Sequence, residues 1–155
     1  MCPAMTNDLL LINLLKSEWE VLQATVNTLQ LSVSKCQDIG IKESYTFEEL
    51  ESFDSLTSKF NRTSDIFTQK VIRSVWMLLH EPFAPFIDMM NQCEKMDMLR
   101  SADQMIEIRD LRNQIAHEYL PDAIRDLVPQ AIELSASLIE NIRSCQLFLE
   151  IRGWI

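Results

Sequence analysis

Apolar residues recur along this chain at alternating steps of three and four, the spacing of one face of an α-helix. The series Leu15, Trp19, Leu22, Val26, Leu29, Val33 and Cys36 keeps that rhythm unbroken. It predicts a long helix packed nearly parallel to its neighbours. Thr6-Asn7-Asp8 offers N-cap side chains ahead of it, and Gly40 with Lys42-Glu43-Ser44 ends it. A second stripe, Phe53, Leu56, Phe60, Phe67, Val71, Val75 and Leu78, lies within about 100° of arc. Its helix opens at Thr46, with Glu49 at the spacing of a capping box, and Glu81-Pro82 stops it near His80.

Pro82 and Pro85 bracket a break, and a shorter third helix covers Phe86 to about Glu94. Met89, Met90, Cys93 and Met96 are its adaptable packing residues. Ser101-Ala102-Asp103-Gln104 is a second capping box, opening a fourth helix that ends before Pro121. The fifth helix carries Ile124, Leu127, Ala131, Leu134, Leu138, Ile142, Cys145 and Leu149 on one face. Pro129 should kink it or mark its true start, and Gly153 should end it. Val128, Ile132 and Ile139 fall off that face, surplus apolar surface of the kind that forms a subunit interface. The pattern predicts an all-α single domain over residues 1–155, with four or five helices.

Composition supports this class. Of 155 residues 47% are hydrophobic and only 2 are glycine, which leaves little punctuation for strands and hairpins. The net charge of −9 repels nucleic acid from the surface as a whole, so any such contact needs a local basic patch. One stretch qualifies. Between Lys59 and Arg73, the residues Lys59, Arg62, Lys70 and Arg73 against the lone Asp65 give a net charge of +3 on the arc opposite the core stripe. Most such stripes are simply solvated faces; here it is the one local surface able to hold a polyanion. Cys2, Cys36, Cys93 and Cys145 are widely spaced and read as small core residues in a reducing compartment. Leu9 to Leu15 is too short to span a bilayer, and no signal-peptide pattern accompanies it, so a soluble cytoplasmic protein is expected. No phosphate-binding glycine loop, dinucleotide fingerprint or metal-ligand cluster is present, and with two histidines, His80 and His117, neither metal nor cofactor is expected.

The stretch Arg109-Asp110-Leu111-Arg112-Asn113-Gln114-Ile115-Ala116-His117-Glu118-Tyr119 carries the candidate chemistry. Ile108, Leu111 and Ile115 make an apolar stripe, and Arg112 falls beside it rather than opposite. A guanidinium cannot shed its charge, so in that position it needs an acidic partner, a phosphate or a second subunit. His117 lies about 140° round the helix from Arg112, on the flank of Asn113, while Tyr119 falls almost above Arg112 two turns on. Taken alone, an arginine and a histidine near a helix end are usually a surface ion pair and a C-terminal cap.

Arg112-Asn113 followed after three residues by His117 resembles the signature of HEPN domains. With Tyr119 it is similar to the HepT-type toxins of HEPN–MNT toxin–antitoxin pairs. The segments Phe60-Asn61-Arg62-Thr63-Ser64-Asp65-Ile66 and Lys70-Val71-Ile72-Arg73 resemble the matching helix of such proteins, and the likeness is tightest from about Leu50 to Pro121. The resemblance implies an up-and-down helical bundle that forms a homodimer with both motifs facing a shared cleft. It implies a metal-independent endoribonuclease in which Arg112 and His117 are catalytic; on the chemistry of the residues, Asn113, one turn from His117, could orient the imidazole or hold a phosphate oxygen, and Lys59, Arg62, Lys70 and Arg73 could guide the RNA backbone if their helix borders the cleft. It also implies a separate small nucleotidyltransferase, the antitoxin, that silences the toxin by transferring AMP to Tyr119. In some relatives the domain is instead a non-catalytic binding subunit of that enzyme. On residue spacing alone Tyr119 could equally close the core, and a purely structural interaction module is a further alternative.

Overall fold

The computed structural model describes residues 3–155. Helix α1 (Pro3–Ile39) precedes α2 (Phe47–Asp65), which runs through a π-helical segment (Ile66–Val71) into α3 (Ile72–Leu78). Then come α4 (Phe86–Lys95), α5 (Ala102–His117) and α6 (Pro121–Ile151). No strand occurs among the described residues. The chain is the expected all-α bundle, five rods once α2, the π segment and α3 are counted as one. Cys2 lies outside the described residues.

Side-chain contacts set the direction of each rod. Cys36 Sγ donates to the Ser52 carbonyl at 3.4 Å, Ser74 Oγ donates to the Glu18 carboxylate at 3.0 and 3.1 Å, and His80 Nε2 lies 3.2 Å from Asp8 Oδ1. Residue numbers rise on α1 as they fall on its neighbour, so α1 and the α2–α3 rod are antiparallel. Clefts between α1 and α6 set Gly40 near Pro129 and Val33 near Ser135, again antiparallel. Asn141 of α6 reaches Ser101 and Gln104 at the far end of α5 from the α5–α6 link. The long rods therefore alternate up and down.

The α1 seam is buried as expected except at Val33, which is half-buried, with Ser32 taking the inner position. The helix already includes Pro3, so Thr6-Asn7-Asp8 lies inside it and does not cap it. Every residue of the stripe Phe53 to Leu78 is buried. Ile72 and Trp76 are buried as well, beyond the expected arc. The reason is the π segment, whose i→i+5 bonds wind more slowly than an α-helix and rotate α3 relative to α2. Trp76 Nε1 donates to the Pro82 carbonyl at 2.9 Å and so ties the connection to α4 onto the core.

Three expectations for α6 change. Of the two alternatives for Pro129, the start of the helix is ruled out: Pro121 is at the first helical position and Pro129 sits inside. Val128 is buried while Leu127 is only half-buried. Ile132 and Ile139 line small clefts against α1. The surplus apolar residues are used largely within the chain, so they do not by themselves mark an interface. Gly153, at φ +68°, ends the helix as expected.

Thr46 and Glu49 complete their capping box in full. At α5 the box is only half made. Ser101 Oγ accepts the Gln104 amide at 3.2 Å, but the Gln104 side chain turns to Asn141. Asn141 is fully buried; its Oδ1 accepts the Ser101 amide at 3.0 Å, and its Nδ2 donates to Gln104 Oε1 at 2.9 Å and the Ser137 carbonyl at 2.8 Å. Cys36, Cys93 and Cys145 are free and buried, which raises all three thiols, that of Cys93 to about 12. No helix among the described residues is long and apolar enough to cross a membrane.

Replacing Asn141 by Leu strands the Ser101 amide and the Gln104 side chain in the interior. A loss of about 1–3 kcal/mol is expected, read as a lower urea midpoint at unchanged slope. A loss below about 0.5 kcal/mol would place Asn141 among ordinary surface positions.

Candidate functional site

Helix α5 buries Met105, Ile108, Leu111 and Ile115, which leaves Arg112 at the edge of that stripe. Its partner is Asp65, on α2. Arg112 Nε donates to Asp65 Oδ1 and Nη2 donates to Oδ2, each at 2.9 Å, with both side chains about one-third exposed. The fork matches the carboxylate plane, and Asp65 holds the guanidinium even more firmly protonated than usual. One turn earlier, Asn61 Nδ2 donates to the Arg112 carbonyl at 3.3 Å. Two residues of a single turn of α2 thus grip the backbone and the side chain of the same arginine. A guanidinium has five N–H donors; Asp65 takes two and leaves three with a fixed orientation.

Beside this pair lies a groove of about 230 Å³, lined by Asp65, Thr68, Gln69, Phe86, Arg109, Arg112 and Asn113 among others. Arg109 lies with its guanidinium carbon 4.3 Å from the centre of the Phe86 ring, a cation–π contact. Its Nε is buried without a hydrogen-bond partner. Asn113 is exposed along the groove. The arrangement offers fixed N–H donors and an amide to an anion the size of a phosphate.

His117 is the last residue of α5, exposed, and it does not line this groove. One chain therefore brings Arg112 and Asn113 together and leaves His117 apart. Tyr119 departs from its expected place. The helix stops at His117, and Glu118 turns extended with φ −94° and ψ 126°, so Tyr119 no longer stacks two turns above Arg112. The cause is local: Pro121 disfavours a helical Leu120, which is extended at ψ 127°, and Glu118 Oε1 accepts the amides of Tyr119 and Leu120 at 3.1 and 3.2 Å. The Tyr119 side chain is 84% exposed, so it does not close the core of this chain.

The basic stripe does not stay together. Lys70 lines a cleft with Leu14, Glu18 and Val21 and so faces α1, while Lys59 is half-buried and does not line the groove beside Arg112. Arg73 lies on the α4 side, its guanidinium carbon 5.5 Å from the centre of the Phe83 ring. Arg62 is exposed. The π segment divides the arc, sending Thr68 and Gln69 to the α4–α5 side and Lys70 to the α1 side.

Sequence reading placed Asp65 on the solvent arc and passed over Asn61, Arg109 and Phe86. Asp65 is the one acidic residue between Lys59 and Arg73, and an isolated carboxylate in a basic run was the available signal. Among the described residues no three His, Cys, Asp or Glu side chains are grouped as a metal ion would require. The chain matches no family model, no curated protein and no solved structure.

A double-mutant cycle tests the clamp. Asp65→Asn and Arg112→Lys should each lower stability by about 1–2 kcal/mol, and the double variant should lose far less than their sum. Simple additivity would mean that the bidentate pair contributes nothing.

Proposed function

We propose that the chain is a metal-independent endoribonuclease of the HEPN type, the toxin of a pair whose partner is a separate small nucleotidyltransferase. The observation that carries the reading is Arg112, locked by Asp65 at the mouth of a groove with Asn113 beside it and His117 exposed at the same helix end. Metal-free RNA cleavage needs a base, an acid and a fixed cation. The base removes the 2′-hydroxyl proton; the 2′-oxygen attacks phosphorus; the 5′-oxygen leaves with a proton from the acid. The products are a 2′,3′-cyclic phosphate and a 5′-hydroxyl. Arg112 supplies the cation. Because His117 is outside Arg112's groove in one chain, base and acid come from a two-fold homodimer that brings two imidazoles to one cleft.

A second reading draws on the same geometry. Arg112 is already paired with a carboxylate, and His117 does not line its groove, an arrangement that equally suits a non-catalytic subunit presenting substrate to the nucleotidyltransferase. Under the toxin reading, the exposed Tyr119 is the point of control. Its hydroxyl oxygen attacks the α-phosphorus of ATP in the partner's site, pyrophosphate leaves, and AMP remains on the tyrosine.

His117→Ala should abolish growth arrest and RNA cleavage while leaving helicity and the dimer intact, and Arg112→Ala should lower the rate on the order of 10²–10³. EDTA should change nothing; cleavage that EDTA stops, or that His117→Ala retains at full rate, rules out this mechanism. Wild-type protein that neither arrests growth nor cuts RNA favours the binding-subunit reading.

Co-expression with the cognate nucleotidyltransferase should add one or more AMP units to the intact mass. Tyr119→Phe should gain none and stay toxic. A Tyr119→Phe variant that the partner still neutralises removes the modification step.

A further inference from the structure

The groove beside Arg112 continues into a larger cleft of about 560 Å³ that shares Thr68, Gln69 and Phe86 with it. Together they form one trough between the π segment and α3 on one side and α4 and α5 on the other. Three arginines, Arg73, Arg109 and Arg112, stand along it. Only Arg112 has a carboxylate partner; among the described residues Arg73 and Arg109 have none within ion-pair distance. Each of those two lies instead over a phenylalanine ring, Arg73 on Phe83 and Arg109 on Phe86. Phe83 is 56% exposed, and its position is fixed from behind because the preceding Pro82 carbonyl is held by the buried Trp76.

An exposed aromatic ring held in place beside an uncompensated guanidinium is costly surface for a chain that only has to stay folded and soluble. It is what a single strand of nucleic acid requires: a cation for each phosphate and a flat apolar face for the bases between them. The spacing of the parts follows one order along the trough, from Phe83 and Arg73, through Phe86 and Arg109, to Arg112.

We infer that this trough is a binding track for single-stranded RNA, in which Arg73 and Arg109 hold backbone phosphates, Phe83 stacks on a base, and the strand is led to Arg112. The assignment rests on the reading of RNA as ligand, but it concerns binding and not cleavage. It replaces the single basic stripe as the RNA surface: Arg73 belongs to the track, whereas Lys59 and Lys70 do not line it. The acidic remainder of the molecule limits the contact to a short segment of strand.

The test measures binding of a fluorescein-labelled oligouridine of about 12 nucleotides to full-length His117→Ala protein, so that cleavage plays no part. Phe83→Ala should weaken binding about ten-fold, Phe83→Trp should restore it with quenching of the new indole, and Phe83→Leu should not. Arg73→Gln and Arg109→Gln should each reduce the salt dependence of log K by about 0.7, while Lys59→Gln leaves it unchanged. A duplex of the same length, its bases already stacked, should bind at least about ten-fold more weakly. Thermal melts of the Phe83 variants should match the parent, since the ring is largely exposed. If duplex or inorganic polyphosphate binds as tightly as the oligouridine, or Phe83→Ala binds normally, the track is wrong even where the wild-type protein cuts RNA. If the wild-type protein cuts no RNA yet the Phe83 and arginine variants lose the oligouridine, the track stands and the nuclease reading falls.

Discussion

The grip of Asn61 and Asp65 on Arg112 is the interaction on which the arrangement of the bundle's polar edge depends. A charged side chain at the border of an apolar stripe is tolerable only when its charge is answered nearby. Here the answer comes from a neighbouring rod, 47 residues earlier in the chain. Since Asn61 holds the backbone of the same residue, α5 is located against α2 in height as well as in rotation. The groove follows from that placement, because its walls are the two helices so joined. An arginine held in this way is also ready for a ligand: its orientation is settled before anything binds, and binding does not have to order it.

The helices themselves were legible in the sequence. The seams from Leu15 to Cys36 and from Phe53 to Leu78 are the buried faces, because burial along a rod obeys the same period as the pattern that announces it. Features that depend on a second element were not legible. Asp65 looked like a solvent-facing residue until α5 was laid beside it. Asn141 carried no signal as a buried polar residue on an otherwise apolar face, and its value appears only when the start of α5 is brought to it. The π segment was hidden for a different reason: a regular helix was sufficient to explain the apolar stripe, and the slower winding shows only in where Ile72, Trp76 and Lys70 end up. At Tyr119 the proline was read correctly as a stop, but the helix yields its last turn earlier than the periodicity suggested.

A chain with a net charge of −9 is a poor general ligand for nucleic acid, and that shapes how specificity would arise. Repulsion over most of the surface removes non-specific binding, so affinity has to be gathered in one trough. The aromatic rings there carry a second advantage. Each ring shields a guanidinium without neutralising it, so the cation remains attractive to a phosphate while the apolar surface is partly covered in the free protein.

Pro129 gives α6 an uneven grain. Lacking an amide hydrogen, it leaves the Arg125 carbonyl without its helical partner, and the capping residue Leu120 offers the helix start no side-chain hydrogen bond. The first two turns of α6 are thus held mainly by Ile124 and Val128, while the remainder is anchored by the core from Ala131 to Leu149. Local opening is accordingly expected to be easier in the segment before Pro129 than in the rest of α6. Tyr119 lies just ahead of that segment, so the backbone that carries it joins the bundle at an end held by few buried side chains.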